Sequence, residues 1–208
     1  MKTVPYHGNP GNACALACYT MVGQYLLPKE HITFEKFGEM ADWRKGYVVW
    51  AFSIWEWMME QGVHIDEYDI VDANLWRDGI EGVRKALPAK EFAFYKDNSF
   101  DLDKTLEKLP AVLDHPNFKS TKCKVTWKMI TEAVQQPGIC EVTLNGCKLH
   151  RVKGFSVHRV VIIDITDDEV IFHDPTLATE GAYKHESIKH FRSALDGLSG
   201  PELTHYYL

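Results

Sequence analysis

Two β-branched runs separated by a short polar turn constrain this chain more than any other part of it. V-H-R-V-V-I-I-D-I at 157–165 gives way to T-D-D and then to E-V-I-F-H-D-P at 169–175. Branched side chains lose rotamer freedom in a helix and pack well on a pleated surface. The pair therefore predicts a hairpin with His158 on one strand and Asp174 on the next. For these two side chains to meet they must point to the same face. In a regular antiparallel pair that requires partners whose residue numbers add to an even total. A plain two-residue Asp167-Asp168 turn gives an odd total and turns Asp174 away from His158. The spacing thus predicts a three- or five-residue loop, or a bulge that resets the register. Asp164 shares the His158 face but lies about 20 Å further along the strand, too far to be its partner.

Helical signals dominate the chain before this hairpin. Asn9-Pro10-Gly11-Asn12 opens into an apolar run that ends before Pro28, which predicts a buried helix over 13–27 with Asn12 as N-cap. Thr33 opens a short helix to Ala41. A third, aromatic-rich helix is expected from Val49 to Gln61, stopped by Gly62, with Trp50, Ile54, Trp57 and Met58 at helical spacing. An extended segment follows over 63–70. Helical patterns at 74–86, 89–96 and 101–114 are interrupted by Pro88, Asn98 and Pro116. After a short extended piece at 122–125, Thr126 starts a helix to Gln135, closed by Pro137-Gly138. Strands are expected at 139–144, 156–165, 169–174 and 203–208, with a helix over 187–195. Helices first and strands later describe an α+β architecture. A single domain over 1–208 is expected, helical over about 1–118 and β-rich over about 119–208.

Composition narrows the function classes. At 208 residues, 45% hydrophobic and 25% charged, the chain suits one compact core. A net charge of −6 with no Lys/Arg cluster argues against a nucleic-acid or anionic-membrane surface. M-K-T-V-P-Y-H-G-N-P has no signal-peptide core, and no stretch approaches the ~20 apolar residues of a membrane span. A soluble, cytoplasmic protein is expected. The five cysteines, at 14, 18, 123, 140 and 147, are odd in number and irregularly spaced, which fits a reducing compartment. Cys14-x3-Cys18 has no second pair to complete a zinc site, so no metal and no cofactor are expected. Cys18 reads as a small buried hydrophobe one turn below Cys14.

Cys14 falls in the first turn of the first helix, where unpaired backbone N–H groups and the dipole favour thiolate. With His158 as base and Asp174 as its orienter, it supplies a nucleophilic acyl-transfer site. Among the other histidines, His7 precedes the helix and has no orienting carboxylate. His173 alternates to the face opposite Asp174. His150, in the basic K-L-H-R-V-K loop, reads as a solvated rim.

The blocks V-P-Y-H-G-N-(x4)-C-A-L-A-C-Y-T-M-V and Gly154, His158, Val160-Val161-Ile162-Ile163, Asp174-Pro175 resemble papain-like cysteine peptidases of the bacteriocin-processing type. That family reads V-P-Y-x-x-Q, then C-G-P-A-x-x-x-M-V, so Cys14, Ala17, Met21 and Val22 fall in register. The matching blocks cover roughly the first 28 residues and 154–176. Ala15 stands where the family has Gly, and Asn9 where it has Gln. The resemblance implies a papain-like fold, a helical lobe facing an antiparallel sheet lobe across a cleft. It also implies cleavage of a peptide or small amide by Cys14, His158 and Asp174, with the Asn9 amide in the oxyanion hole. Trp43 and Tyr47, beside Gly46, are candidates for the substrate cleft. Two other outcomes stay open: an acyl transferase of the phytochelatin-synthase type, or a degenerate module that only binds. The family's transporter-linked role in export is not expected, because no membrane segment is present.

Overall fold

The computed structural model describes every residue except 10, 12 and 177–179. The expected N-cap Asn12 lies outside the described residues. Helix α1 spans Cys14–Leu26, with Ala13 as its N-cap residue and no side-chain cap. Instead the Asn9 side-chain oxygen accepts from the Gly11 and Ala13 backbone N–H groups, at 2.8 and 3.0 Å. Helix α2 (Phe34–Met40) begins as expected, with the Thr33 hydroxyl accepting from the Lys36 N–H. Helix α3 (Phe52–Glu60) is shorter at its start than the sequence pattern. Trp50 lies before it, half-buried against Phe52, Trp76 and Tyr95. Gly62, at φ 92°, takes the left-handed conformation that ends the segment.

Strand β1 (His64–Asp69) is followed by a 3-10 helix over Ala73–Asp78 and by helices α4 (Ile80–Ala86), α5 (Ala89–Asn98), α6 (Leu102–Leu106) and α7 (Leu109–Asp114). Then come β2 (Phe118–Lys122), α8 (Trp127–Gln135), β3 (Ile139–Asn145), α9 (Gly146–Leu149), β4 (Val157–Ile165) and β5 (Glu169–His173). Strand β6 (Lys184–Ser187), helix α10 (Ile188–Leu195) and strand β7 (Leu203–Tyr207) complete the order. The Thr126 and Ser187 hydroxyls cap α8 and α10, as the sequence pattern implies.

The seven strands form one sheet in the order β2-β1-β7-β3-β4-β5-β6, antiparallel except for the β1–β2 pair. The fold is therefore mixed α+β around an open, mostly antiparallel sheet. Strands from the helical first half join that sheet. The two edge strands, F-K-S-T-K and K-H-E-S, are the ones the sequence reading displaced or missed. Neither alternates apolar with polar, since an edge strand has less to bury and gains from charge.

Strand alternation splits the core in two. On one face Val161, Ile163, Ile171, Ile139 and Tyr206 pack with α1, α2 and α3. On the other, Val160, Ile162, Phe172, Val142 and Leu144 pack with α8 and α10. Leu16 through Gly23 of α1 are all buried. A Cβ on Gly23 would come within 2.9 Å of Ile32 and 3.0 Å of Phe37, so the missing side chain lets α1 pack closely here.

The β4–β5 hairpin takes the bulged solution. Thr166 N–H donates to the Glu169 carbonyl at 2.9 Å across the two-residue Asp167-Asp168 turn, and Ile165 pairs with Val170. The register then shifts between Ile162 and Asp164, so that Ile162 meets Phe172 and Val161 meets His173. One extra residue thus restores the parity that puts His158 and Asp174 on one side.

Candidate active site

The two halves of the candidate site are joined through the backbone. Asn9 N–H donates to the Pro175 carbonyl at 2.6 Å, which ties the loop before Cys14 to the residue after Asp174. Asp174 N–H in turn donates to the Gly181 carbonyl at 2.8 Å, and the Tyr6 hydroxyl donates to the Asp174 carbonyl at 3.1 Å. The Cys18 thiol, one turn along α1, donates to the Arg159 carbonyl at 3.4 Å and so holds the helix against β4.

His158 is 7% exposed and Asp174 2% exposed. His158 Nε2 lies 2.9 Å from Asp174 Oδ1 and 2.9 Å from the Thr176 hydroxyl. A ring nitrogen facing a carboxylate oxygen at this distance carries the proton, which leaves Nδ1 for Cys14. The half-buried Cys14 thiol is the imidazole's electrostatic partner on the side away from Asp174. Burial pushes this thiol up, but the His158 hydrogen bond and charge, aided by Arg159, carry it below the ordinary thiol value. Burial lowers His158, yet Asp174 and Cys14 outweigh it and raise the imidazole to about 9. Burial raises Asp174 too, and its two histidine partners and the Thr176 N–H hold it far below the ordinary carboxylate range. These directions favour thiolate on Cys14 and imidazolium on His158, beside an ionised carboxylate.

No known family, curated protein or solved structure matches this chain.

Two groups near Cys14 are candidate donors for an oxyanion, one on the backbone and one on a side chain. Cys14 N–H belongs to the first helical residue and has no intrahelical acceptor. The Asn9 amide turns its oxygen onto Gly11 and Ala13, so its other end, the NH2 group, is the donor left over. His7, the rival base, stacks on Phe34 with ring centroids 4.8 Å apart, and its Nδ1 contacts the Gly8 carbonyl at 2.7 Å. His173 is buried between the Val4 carbonyl and the Tyr183 N–H, away from the thiol.

Trp43 and Tyr47 part company. Trp43 meets Phe34 edge-on at 5.6 Å, so a run of rings joins it to His7 in the loop before Cys14. Its indole N–H is buried without a partner among the described residues. Tyr47 instead meets Phe100 at 5.9 Å and is 38% exposed. A groove of about 500 Å³ lies elsewhere, between β1, β7 and α8, and is lined by Tyr68, Met129, His205 and Tyr207 among others. It contains none of the three catalytic candidates.

His150 corrects the sequence reading most. It is exposed, as a rim residue is, but its Nε2 also lies 2.7 Å from Asp174 Oδ2. No sequence spacing announces that contact, because the 146–156 segment folds back over its own strand. Gly146 permits this fold, since a Cβ there would sit 2.8 Å from the His158 Cβ. His150, His158 and Asp174 are also the one group among the described residues with ligand atoms close enough to hold a metal ion, all within 4.8 Å. The hydrogen bonds between them already account for that closeness. No helix among the described residues is long and apolar enough to cross a membrane.

The placement of Asp174 is itself testable. A Cβ on Gly181 would collide with the Asp174 carbonyl and crowd the Tyr6 hydroxyl. Gly181→Ala should therefore shift Asp174 and slow Cys14 alkylation by about 10–100-fold, as small misplacements of catalytic groups do. Wild-type alkylation kinetics in this variant would show that the backbone contact is not what positions the carboxylate.

Proposed function

We propose that this chain is a cysteine hydrolase of papain-like arrangement that cleaves a peptide or small amide through a thioacyl intermediate. The observation that carries this reading is the His158 imidazole between the Cys14 thiol and the Asp174 carboxylate. Further support comes from the position of Cys14 at the start of α1.

In the forward step the Cys14 thiolate attacks the substrate carbonyl carbon. The oxyanion that forms takes hydrogen bonds from the Cys14 backbone N–H and the Asn9 amide NH2, a contribution of about 3 kcal/mol per donor in such sites. The His158 imidazolium gives its proton to the leaving amine as the C–N bond breaks. Neutral His158 then takes a proton from water as the water attacks the thioester, and Cys14 leaves as the thiolate. Asp174 stays ionised throughout, holds the ring by Nε2–H and stabilises its charge.

An electrophilic acyl-type probe followed by intact-mass measurement tests the first half-reaction, and a library of peptides and small amides tests the second. One adduct on Cys14, absent from Cys14→Ala, and release of a free carboxylate are expected. Transfer of the acyl group to an added amine in preference to water would make the chain a transferase. Probe labelling that persists in Cys14→Ala would refute the assignment, and tight peptide binding without turnover would leave a binding module.

A further inference from the structure

We propose that His150 is a positioning residue of this site, which holds the second oxygen of Asp174 so that His158 faces Cys14. The inference rests on the reading of Cys14, His158 and Asp174 as a catalytic triad and adds a fourth side chain to it.

The carboxylate of Asp174 is almost completely withdrawn from water. Oδ1 accepts from His158 Nε2–H at 2.9 Å and from Thr176 N–H at 3.0 Å. Oδ2 meets His150 Nε2 at 2.7 Å. Among the described residues this is the contact that Oδ2 makes, and an ionised oxygen buried without it would cost more than a lost neutral hydrogen bond. With it, the carboxylate is gripped at both ends and cannot turn about its own bond to offer His158 a different oxygen. The two imidazole rings lie 5.7 Å apart on either side of the one carboxylate.

The loop that carries His150 is built to stay put. The Asn145 side-chain oxygen caps α9 through Lys148 N–H at 3.1 Å, and His150 N–H closes on the Gly146 carbonyl at 2.9 Å. Leu149 is buried, with its carbonyl 3.1 Å from His190 Nε2. Arg151, in the left-handed conformation at φ 58°, pairs with Glu186 at 2.7 Å. These contacts fix the backbone on both sides of His150 while the ring itself stays 33% exposed at its outer edge.

Gln and Met have equal length, and only Gln can donate to Oδ2. The test is therefore the pH profile of Cys14 alkylation by iodoacetamide in His150→Gln and His150→Met, with His150→Ala as a third variant should Met disturb folding. The wild-type profile is read first. An ordinary thiol profile there would sink the triad reading itself, independently of His150. Given a lowered wild-type midpoint, Met or Ala should move it up by about one pH unit and slow alkylation below it about tenfold. Gln should stay near wild type. Met and Ala profiles that overlay the wild type would overturn the proposal, even if melting temperature fell. So would a Gln profile as displaced as that of Met, since the donor would then not be what matters.

Discussion

Iodoacetamide at about pH 6 should alkylate Cys14 well ahead of the other four cysteines, and His158→Ala should slow that reaction by roughly 100-fold or more. The contrast follows from surroundings. Burial pushes the Cys18 thiol well above its ordinary value and Cys140 to about 12, and Cys123 is also raised. Cys147 meets the Ser156 hydroxyl, which is no base. Cys14 alone among them is paired with an imidazole. The pH dependence has a definite sign. Alkylation should rise as the thiolate forms, at a midpoint below that of a free thiol, and fall away toward acid. Amide turnover needs the imidazolium as proton donor, so it should decline as pH climbs through about 9, where His158 loses its proton. Peptide mapping by mass spectrometry reads the first result, and turnover against pH reads the second. Cys14→Ala and His158→Ala should abolish turnover, while Asp174→Asn should only reduce it, since an amide oxygen can still hold the ring. Equal labelling of all five cysteines would exclude an activated thiolate.

Arg159→Met should destabilise the fold by about 3–5 kcal/mol, the usual consequence of leaving a buried partner charge alone. Arg159 follows His158 on β4, but its side chain goes to the other face and pairs with Glu141 at 2.8 Å and with Glu202. Glu141 is fully buried, and its second oxygen has no partner among the described residues. The Tyr206 hydroxyl donates to the paired Glu141 oxygen at 2.6 Å, and the Trp55 indole N–H donates to Tyr206 at 3.0 Å. Arg159 is the cation in this group, and Glu141 has no route to water. At about 2–4 °C per kcal/mol for a chain of this size, a fall in Tm of roughly 10 °C is expected. The double variant Arg159→Met with Glu141→Gln should recover part of it, because the orphaned charge is gone. A single variant within about 1 kcal/mol of wild type would mean that Glu141 is neutral in the fold.

The site was legible where chemistry and periodicity coincide. Cys14 at a helix start, His158 within a β-branched run and Asp174 before a proline are each marked by their neighbours. The parity of the hairpin could be worked out before any coordinate, because side chains alternate along a strand whatever the protein. Which residue would bulge was not written there, since Ile162, Ile163 and Asp164 differ little in their tolerance of it. His150 was misread for a different reason. Its partner lies across a loop whose path depends on Gly146, Leu149 and Arg151 together, and no local pattern encodes such a path. The edge strands β2 and β6 escaped because hydrogen bonds to a neighbour, rather than apolar alternation, make them strands. Tyr47 was placed by proximity to Trp43 in sequence, yet aromatic rings settle wherever another ring offers an edge, and Phe100 did.

Strand β7 lies between β1 and β3, so the sheet is two separate pieces until 203–207 is threaded between them. The same stretch brings Glu202 and Tyr206 to the Arg159 cluster directly beneath the candidate base. Contacts of such long sequence separation form late, after most of the loop entropy has been lost. A nascent chain can therefore display its Cys14 helix and its His158 hairpin long before the floor under them exists. The surroundings of the candidate site would be complete only when the last strand arrives.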